Sequence, residues 1–314
     1  MSASTRQTRI LVTPRSLTEA GLDAVAELDE LRQHGFELIS GPAGRRPTED
    51  ELRLLLPGCV GWLAGVEAVP KAVFASADVL RVISRNGTGV DAIDLDAAER
   101  AGVTVVRAAG ANAQGVAELA LALALACVRG IPWSSSALKQ GEWSRLQARE
   151  IGDLRVGVVG LGAIGRKVAA MFRALGATVV GTDPFTLDPE TESVSLTELL
   201  SRSDIVSLHV PPVEGRPLID SQALDQLPAG AVLINTARSS LVDQEAVLES
   251  LESGRLSAYA VDAFDSEPPQ LTLLLLHERV LATPHLGAFT GGSVRRATSE
   301  AVSNLLAALE DSSS

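Results

Sequence analysis

Short β-branched runs alternate along this chain with segments whose apolar residues recur every three or four positions. Ile10–Thr13 reads as a strand, and Leu17, Leu22, Val25 and Leu28 after it approximate one helical face. Phe36–Ile39, Val60–Leu63, Val82–Ser84 and Thr104–Val106 are further strands. Among them Thr48 and Glu51 form a capping box ahead of a Leu-rich helix, and helices start near Pro70 and Asp94. A long helix from Ala113 to Val128 follows, then a segment from Trp133 to Trp143, and then the alternation restarts. Val156–Val159, Thr178–Thr182, Ile205–His209, Ala231–Asn235, Ala258–Val261 and Val280–Ala282 read as six strands, and a last helix runs from Thr290 to Leu309. Strands alternating with helices imply mostly parallel sheets, so the expected fold is α/β with two doubly wound lobes. Six strands are what a dinucleotide-binding Rossmann lobe requires. The division expected is 1–107 with 289–314 in a substrate-binding lobe, and 108–288 in a Rossmann lobe.

Length agrees, since 314 residues suit about two domains. At 46% hydrophobic and 21% charged the composition is that of a globular protein, and with 3% aromatic residues the core must be Ala, Val and Leu. The net charge of −12 disfavours nucleic acid and anionic lipid as partners, because neither is held without a basic surface. Cys59 and Cys127 stand among apolar residues and read as buried reduced thiols. The N-terminus lacks the apolar stretch of a signal peptide, and the most apolar run, Val116 to Val128, is too short to span a bilayer. A cytoplasmic protein with no further domain after Leu309 is expected.

The chemistry begins at Gly160-Leu161-Gly162-Ala163-Ile164-Gly165, between a strand and a helix. The first glycine permits the tight turn, Gly162 lets backbone N–H groups approach a pyrophosphate, and Gly165 lets helix and strand pack closely. With 27 glycines in the chain such a spacing arises by chance roughly 0.2 times, so context carries the reading. Asp183 supplies it, ending the next strand where an acidic residue accepts hydrogen bonds from the adenosine ribose and repels the 2′-phosphate of NADP. Arg166 stands where a P-loop carries lysine, which argues against a nucleoside triphosphatase. NAD is the expected cofactor.

Three polar residues follow the later strands: Arg238 after LINTA, Glu267 in DAFDSEPP and His285 in ATPHLG. Ligands of doubly wound sheets bind outside the carboxyl ends of the strands, so Arg238 and His285 belong at the cofactor cleft. Oxidising a hydroxyacid takes a cation for the carboxylate and carbonyl, a base for the hydroxyl proton, and a carboxylate that orients the base. Arginine, histidine and glutamate suit these roles in that order. His34, His209 and His277 lack partners at metal-ligand spacing, and no metal site is expected.

In order, GLGAIGR, GTDP, SLHVPP, INTARSSLVDQEAV, VDAFDSEPP and TPHLGA resemble the motifs of the D-isomer-specific 2-hydroxyacid dehydrogenase family, nearest its phosphoglycerate dehydrogenase-like branch. RNGTGVDAIDL and ANAQGVAEL resemble its earlier motifs. The resemblance implies an NAD-dependent oxidoreductase with Arg238 as substrate anchor, His285 as acid/base and Glu267 as its partner. It also implies Ala163 and Ile164 on the pyrophosphate and Val210 and Pro211 beside the adenine. Thr236, Ala237, Asp262 and Gly287 would lie around the nicotinamide. The Asn86-Gly87-Thr88-Gly89 loop would offer backbone N–H groups to the substrate carboxylate. It further implies a homodimer through about 113–145. Ser239 departs from the glycine usual after the arginine, and the 212–217 stretch is shorter than usual. The substrate is read as a small anionic 2-hydroxyacid or 2-oxoacid. Arg85, with Arg15 and Arg145, suggests a second anionic group of phosphoglycerate type, against the alternative of a monoanion such as glyoxylate or hydroxypyruvate. The rival from another class is an NAD-sensing corepressor that keeps this fold.

Overall fold

The computed structural model describes residues 8–143, 145, 147–212 and 215–311. Two compact units divide it, the first ending at Asn112 and resuming at Gly291, the second running Ala113–Thr290.

The first unit holds five parallel strands: β1 (Arg9–Val12), β2 (Glu37–Ser40), β3 (Cys59–Ala64), β4 (Val82–Arg85) and β5 (Thr104–Arg107). Their order is β2-β1-β3-β4-β5, one of the two common doubly wound arrangements. Alternate residues of each strand face opposite cores, as a parallel sheet covered on both sides demands. Ile10, Val12, Leu63 and Val82 pack with Ala301, Leu305 and Leu309 of the final helix Gly291–Asp311. Leu11, Trp62 and Ile83 pack on the other face with Leu52, Val73 and Ala97. The expected capping box forms as read, with Thr48 accepting from Glu51 N and the Glu51 side chain returning to Thr48 N. One expectation fails in form. The single helical face over Leu17–Leu28 is broken into a helix Arg15–Ala20, two 3-10 turns and a helix Asp29–Gln33, because Gly21 adopts φ 81°.

The second unit is a seven-stranded parallel sheet: β6 (Arg155–Val159), β7 (Thr178–Thr182), β8 (Glu192–Ser193), β9 (Ile205–Leu208), β10 (Ala231–Asn235), β11 (Leu256–Val261) and β12 (Val280–Ala282). The order β12-β11-β10-β9-β6-β7-β8 reverses direction between β6 and β9. Six strands were expected, and β8 is the one the pattern misses. It has two exposed residues, too few to show a period. Val156, Val158, Ile205 and Ile234 pack against the helices Ala113–Val128 and Ala163–Ala174, while Val206, Leu208, Leu233 and Tyr259 fill the opposite core.

The Trp133–Trp143 segment is mainly a helix, Ile131–Lys139, entered through left-handed Gly130. Trp133 Nε1 donates to Glu278 O, and the Arg279 guanidinium lies 5.4 Å from the Trp133 ring centroid. No single helix among the described residues is long and apolar enough to cross a membrane. Ala113–Val128 and Ile131–Lys139 meet that test only as a pair bent by 58°. The first of the pair is a core helix, with Ala117, Ala120, Leu123, Ala124 and Cys127 buried.

Candidate active site

The phosphate loop leaves β6 at Gly160, whose φ of 92° suits glycine, and a Cβ there would stand 2.5 Å from His209 O. At Gly165 a Cβ would stand 1.8 Å from Gly160 O, so helix and strand meet only because that atom is absent. Gly162 differs from both. It caps the helix Ala163–Ala174 with ordinary extended backbone and has nothing within 4 Å of where its Cβ would be. No side-chain cap satisfies the first N–H groups of this helix, and such an N-terminus favours an anion. A dinucleotide pyrophosphate fits this cradle.

Asp183, at the end of β7, is already engaged: Oδ2 accepts from Leu161 N at 2.7 Å, and Oδ1 from Phe185 N at 2.8 Å and Thr186 N at 2.9 Å. Burial alone would raise its pKa. The hydrogen bonds from Phe185, Leu161 and Thr186, with the charge of Arg166, outweigh it and hold the group below the ordinary aspartate value. A carboxylate has about four acceptor positions, so one remains for a ribose hydroxyl.

At the end of β9, His209 Nε2 pairs with Ser207 Oγ at 2.8 Å. Burial pushes its pKa down to about 3, so the ring is neutral, and its enclosed Nδ1 has no partner. Val210 follows, with Cγ1 lying 2.7 Å from where a Gly160 Cβ would be, while Pro211 is exposed. The short 212–217 stretch lies partly outside the described residues. After β10, Thr236 Oγ1, expected beside the nicotinamide, is buried without a partner, a polar atom that a bound group could satisfy.

The catalytic candidates all lie at the carboxyl ends of the strands in this unit. Arg238 opens a 3-10 turn, Ser239–Leu241. Fully buried Asn235 fastens it, with Nδ2 donating to Arg238 O at 2.8 Å and Oδ1 accepting from Ala237 N at 3.1 Å. Arg238 Nη1 donates to Ala237 O at 2.7 Å. Glu267 and His285 are brought together, Glu267 Oε1 hydrogen-bonding His285 Nδ1, which turns Nε2 outward. His285 has φ 54°, the one positive value among described non-glycine residues. Such backbone costs about 1–3 kcal/mol and persists only where its surroundings hold it. Asp262 does the holding: Oδ1 accepts from Leu286 N (2.7 Å) and Thr283 Oγ1 (2.6 Å), and Oδ2 from Gly287 N (2.8 Å). Asp262 and Gly287, expected around the nicotinamide, are here tied to each other in support of the histidine.

Sequence reasoning missed Asn235, Thr283 and Asp265, whose Oδ1 accepts from Ser239 Oγ. The one signal for them was a polar residue ending an apolar strand, as at Asn235. In the first unit, Asn86 N donates to Ala64 O and Gly87 N to Arg85 O, so two N–H groups of the expected substrate loop are engaged internally. Gly87 has φ 146°, and Arg85 Nη1 donates to Asn86 O at 2.6 Å. Arg15 and Arg145 are exposed. Among the described residues no three His, Cys, Asp or Glu are placed to hold a metal.

A doubly wound sheet with a bare glycine cradle at its switch point and an oriented histidine at its carboxyl edge defines a dinucleotide-binding α/β protein. Residues 121–287 match the model of the D-isomer specific 2-hydroxyacid dehydrogenase family, NAD binding domain. The chain is 36% identical over 273 residues to the hydroxypyruvate reductase of Thermotoga maritima, covering 82% of this chain and 87% of that protein. It is 38% identical over 231 residues to the D-3-phosphoglycerate dehydrogenase of Methanocaldococcus jannaschii, covering 71% of this chain and 44% of that one. Among solved structures, a Thermus thermophilus protein superposes with a TM-score of 0.87 at 34% identity, over 97% of both chains. This chain belongs to the D-isomer-specific 2-hydroxyacid dehydrogenase family. It spans about half the length of the phosphoglycerate dehydrogenases it matches.

Proposed function

We propose that this chain is an NAD-dependent D-2-hydroxyacid dehydrogenase, interconverting a D-2-hydroxyacid and its 2-oxoacid. The observation that carries the reading is the His285–Glu267 pair at the carboxyl edge of the sheet whose switch point holds the glycine cradle. The unit of β6–β12 takes the NAD-binding role and the unit of β1–β5 the substrate-binding role. NAD, when bound, supplies the hydride acceptor. Gly160, Gly162 and Gly165 make room for its pyrophosphate, Ala163 and Ile164 present N–H groups to it, and Asp183 meets the ribose. Thr236 and Ala237 lie toward the nicotinamide. Arg238 anchors the substrate carboxylate and polarises the carbonyl oxygen. His285 Nε2 takes the hydroxyl proton during oxidation and returns it during reduction, while Glu267 fixes the tautomer and offsets the imidazolium charge.

The substrate proposed is a dianion of phosphoglycerate type. Thr88 and Gly89 would meet its carboxylate, and Arg85, at the end of β4 where that loop begins, its second charge. Hydroxypyruvate or glyoxylate is the second reading, favoured by the near-full-length match to a hydroxypyruvate reductase. A 2-oxoacid panel followed by NADH consumption decides between them, with Arg85→Ala as the variant. The dianion reading requires KM for the phosphorylated substrate to rise far more than KM for glyoxylate. Equal effects, or a wild-type preference for the monoanion, refute it.

We further infer a cytoplasmic homodimer through about 113–145. Ile131, Leu138 and Trp143 expose 56%, 57% and 83% of their surface there, more than a free apolar face favours. Burial pushes the free thiols of Cys59 and Cys127 up to about 11 and 12, as inert thiols of a reducing compartment. A monomeric mass by light scattering would refute the dimer.

A further inference from the structure

Ser239 directly follows Arg238, and the residue is buried at 6% exposure. A buried hydroxyl without a partner is costly, so what it bonds to is informative. It donates to Oδ1 of Asp265, on the loop that runs from Asp262 to Glu267. The turn behind Ser239 is one short 3-10 turn without a side-chain cap, which is weakly determined on its own. From within the sheet Asn235 pins it at Ala237 and Arg238, and Asn235 Nδ2 also reaches Tyr259 Oη at 3.4 Å. The Asp265 charge also acts on Tyr259, the other residue that Asn235 reaches. The Tyr259 hydroxyl is raised well above the ordinary tyrosine value, first by burial and, against the hydrogen bond from Asn235, also by Asp265.

The three catalytic segments are therefore joined side chain to backbone and side chain to side chain. Asp262 joins the 262–267 loop to the His285 turn, Glu267 joins it to the imidazole, and Asp265 joins it to the Arg238 turn. We propose that Ser239 and Asp265 form a positioning clamp that sets Arg238 against the Glu267–His285 pair, a device that glycine at 239 cannot supply. The proposal rests on the catalytic reading of Arg238 given above. Ser239 and Asp265 are positioning residues, acting through Arg238, and a site of this kind tolerates about 0.5 Å of misplacement.

The clamp predicts a pattern across four variants assayed as full chains with NADH and a 2-oxoacid. Ser239→Ala and Asp265→Ala each lower kcat/KM for the oxoacid about tenfold, and the double variant loses no more than either, because the two act as one. Asp265→Asn keeps an oxygen for the hydroxyl and stays within about twofold of wild type. The dissociation constant for NADH does not move, and in Ser239→Ala, which leaves no buried hydroxyl unpaired, neither does the unfolding midpoint, which separates positioning from general destabilisation. Wild-type kcat/KM in Ser239→Ala, or additive losses in the double variant, overturns the clamp. Arg238→Ala runs alongside. If it too is fully active the catalytic reading falls, whereas an inactive Arg238→Ala beside a wild-type Ser239→Ala removes the clamp alone.

Discussion

Replacing Glu267 tests the catalytic pair at its joint. In the structure its carboxylate meets His285 Nδ1, with the two side chains 21% and 39% exposed. Gln at this position keeps an oxygen for the Nδ1 proton, so the tautomer and the outward Nε2 survive, and only the charge is lost. A hydrogen bond with a charged partner contributes about 1.5–3 kcal/mol and a neutral one about 1 kcal/mol. The difference is about 0.5–2 kcal/mol, and partial exposure favours the lower half of that range. Glu267→Gln should therefore lower kcat about two- to eightfold. Glu267→Ala removes tautomer control as well and should lose the full contribution, about 10- to 150-fold. The assay is stopped-flow loss of NADH absorbance under single-turnover conditions with saturating oxoacid, which separates chemistry from product release. NADH affinity, measured by fluorescence titration, should be unchanged in both variants. If Glu267→Ala reacts at the wild-type rate, the carboxylate does not act through His285 and the assignment is wrong.

The remaining predictions concern the cofactor loop and acid stability. Gly162→Ala, with open space at its Cβ, should fold with a normal unfolding midpoint but bind NADH at least tenfold more weakly; Gly165→Ala, meeting Gly160 O at 1.8 Å, should instead lower the midpoint. The reverse order would show that the cradle is misread. Asp183→Ser should raise the ratio of kcat/KM for NADPH over NADH at least about fivefold, the ~1 kcal/mol that two charges 4 Å apart exchange even in water. A wild-type enzyme that already prefers NADPH contradicts this outright. His209 is held neutral by burial, with a folded pKa of about 3. The unfolded chain therefore takes up a proton near pH 6.5 that the folded chain refuses. Stability is unaffected above that pH and falls by at most about 1.4 kcal/mol per unit as pH drops from about 6.5 toward 3. Urea midpoints from pH 7 to pH 4 should fall more steeply in wild type than in His209→Asn, and equal slopes would refute the reading.

The sequence alone determined those features whose physics is local. Strands buried on both faces show as unbroken runs such as VLIN and VVG, and the helix Ala113–Val128 shows by its length of apolar small residues. The glycine spacing was legible because turn geometry at Gly160 and helix–strand packing at Gly165 admit no side chain. The partnership of His285 with Glu267 was legible as chemistry, a base and the carboxylate that orients it, and through the family resemblance, although nothing in the intervening residues dictates the hydrogen bond. Tertiary structure decided the rest. Gly21 broke the N-terminal helical face, although Leu17, Val25 and Leu28 remain buried, because burial depends on direction and not on unbroken helix. The strand Glu192–Ser193 exists by pairing with β7, a contact its two residues cannot announce. Asp262, read as a nicotinamide neighbour, also holds Thr283, Leu286 and Gly287, bonds that nothing near it in the sequence announces. That outcome, like the Ser239–Asp265 bond, depends on the separation of three strand ends, which the register of a parallel sheet fixes and no local sequence period encodes.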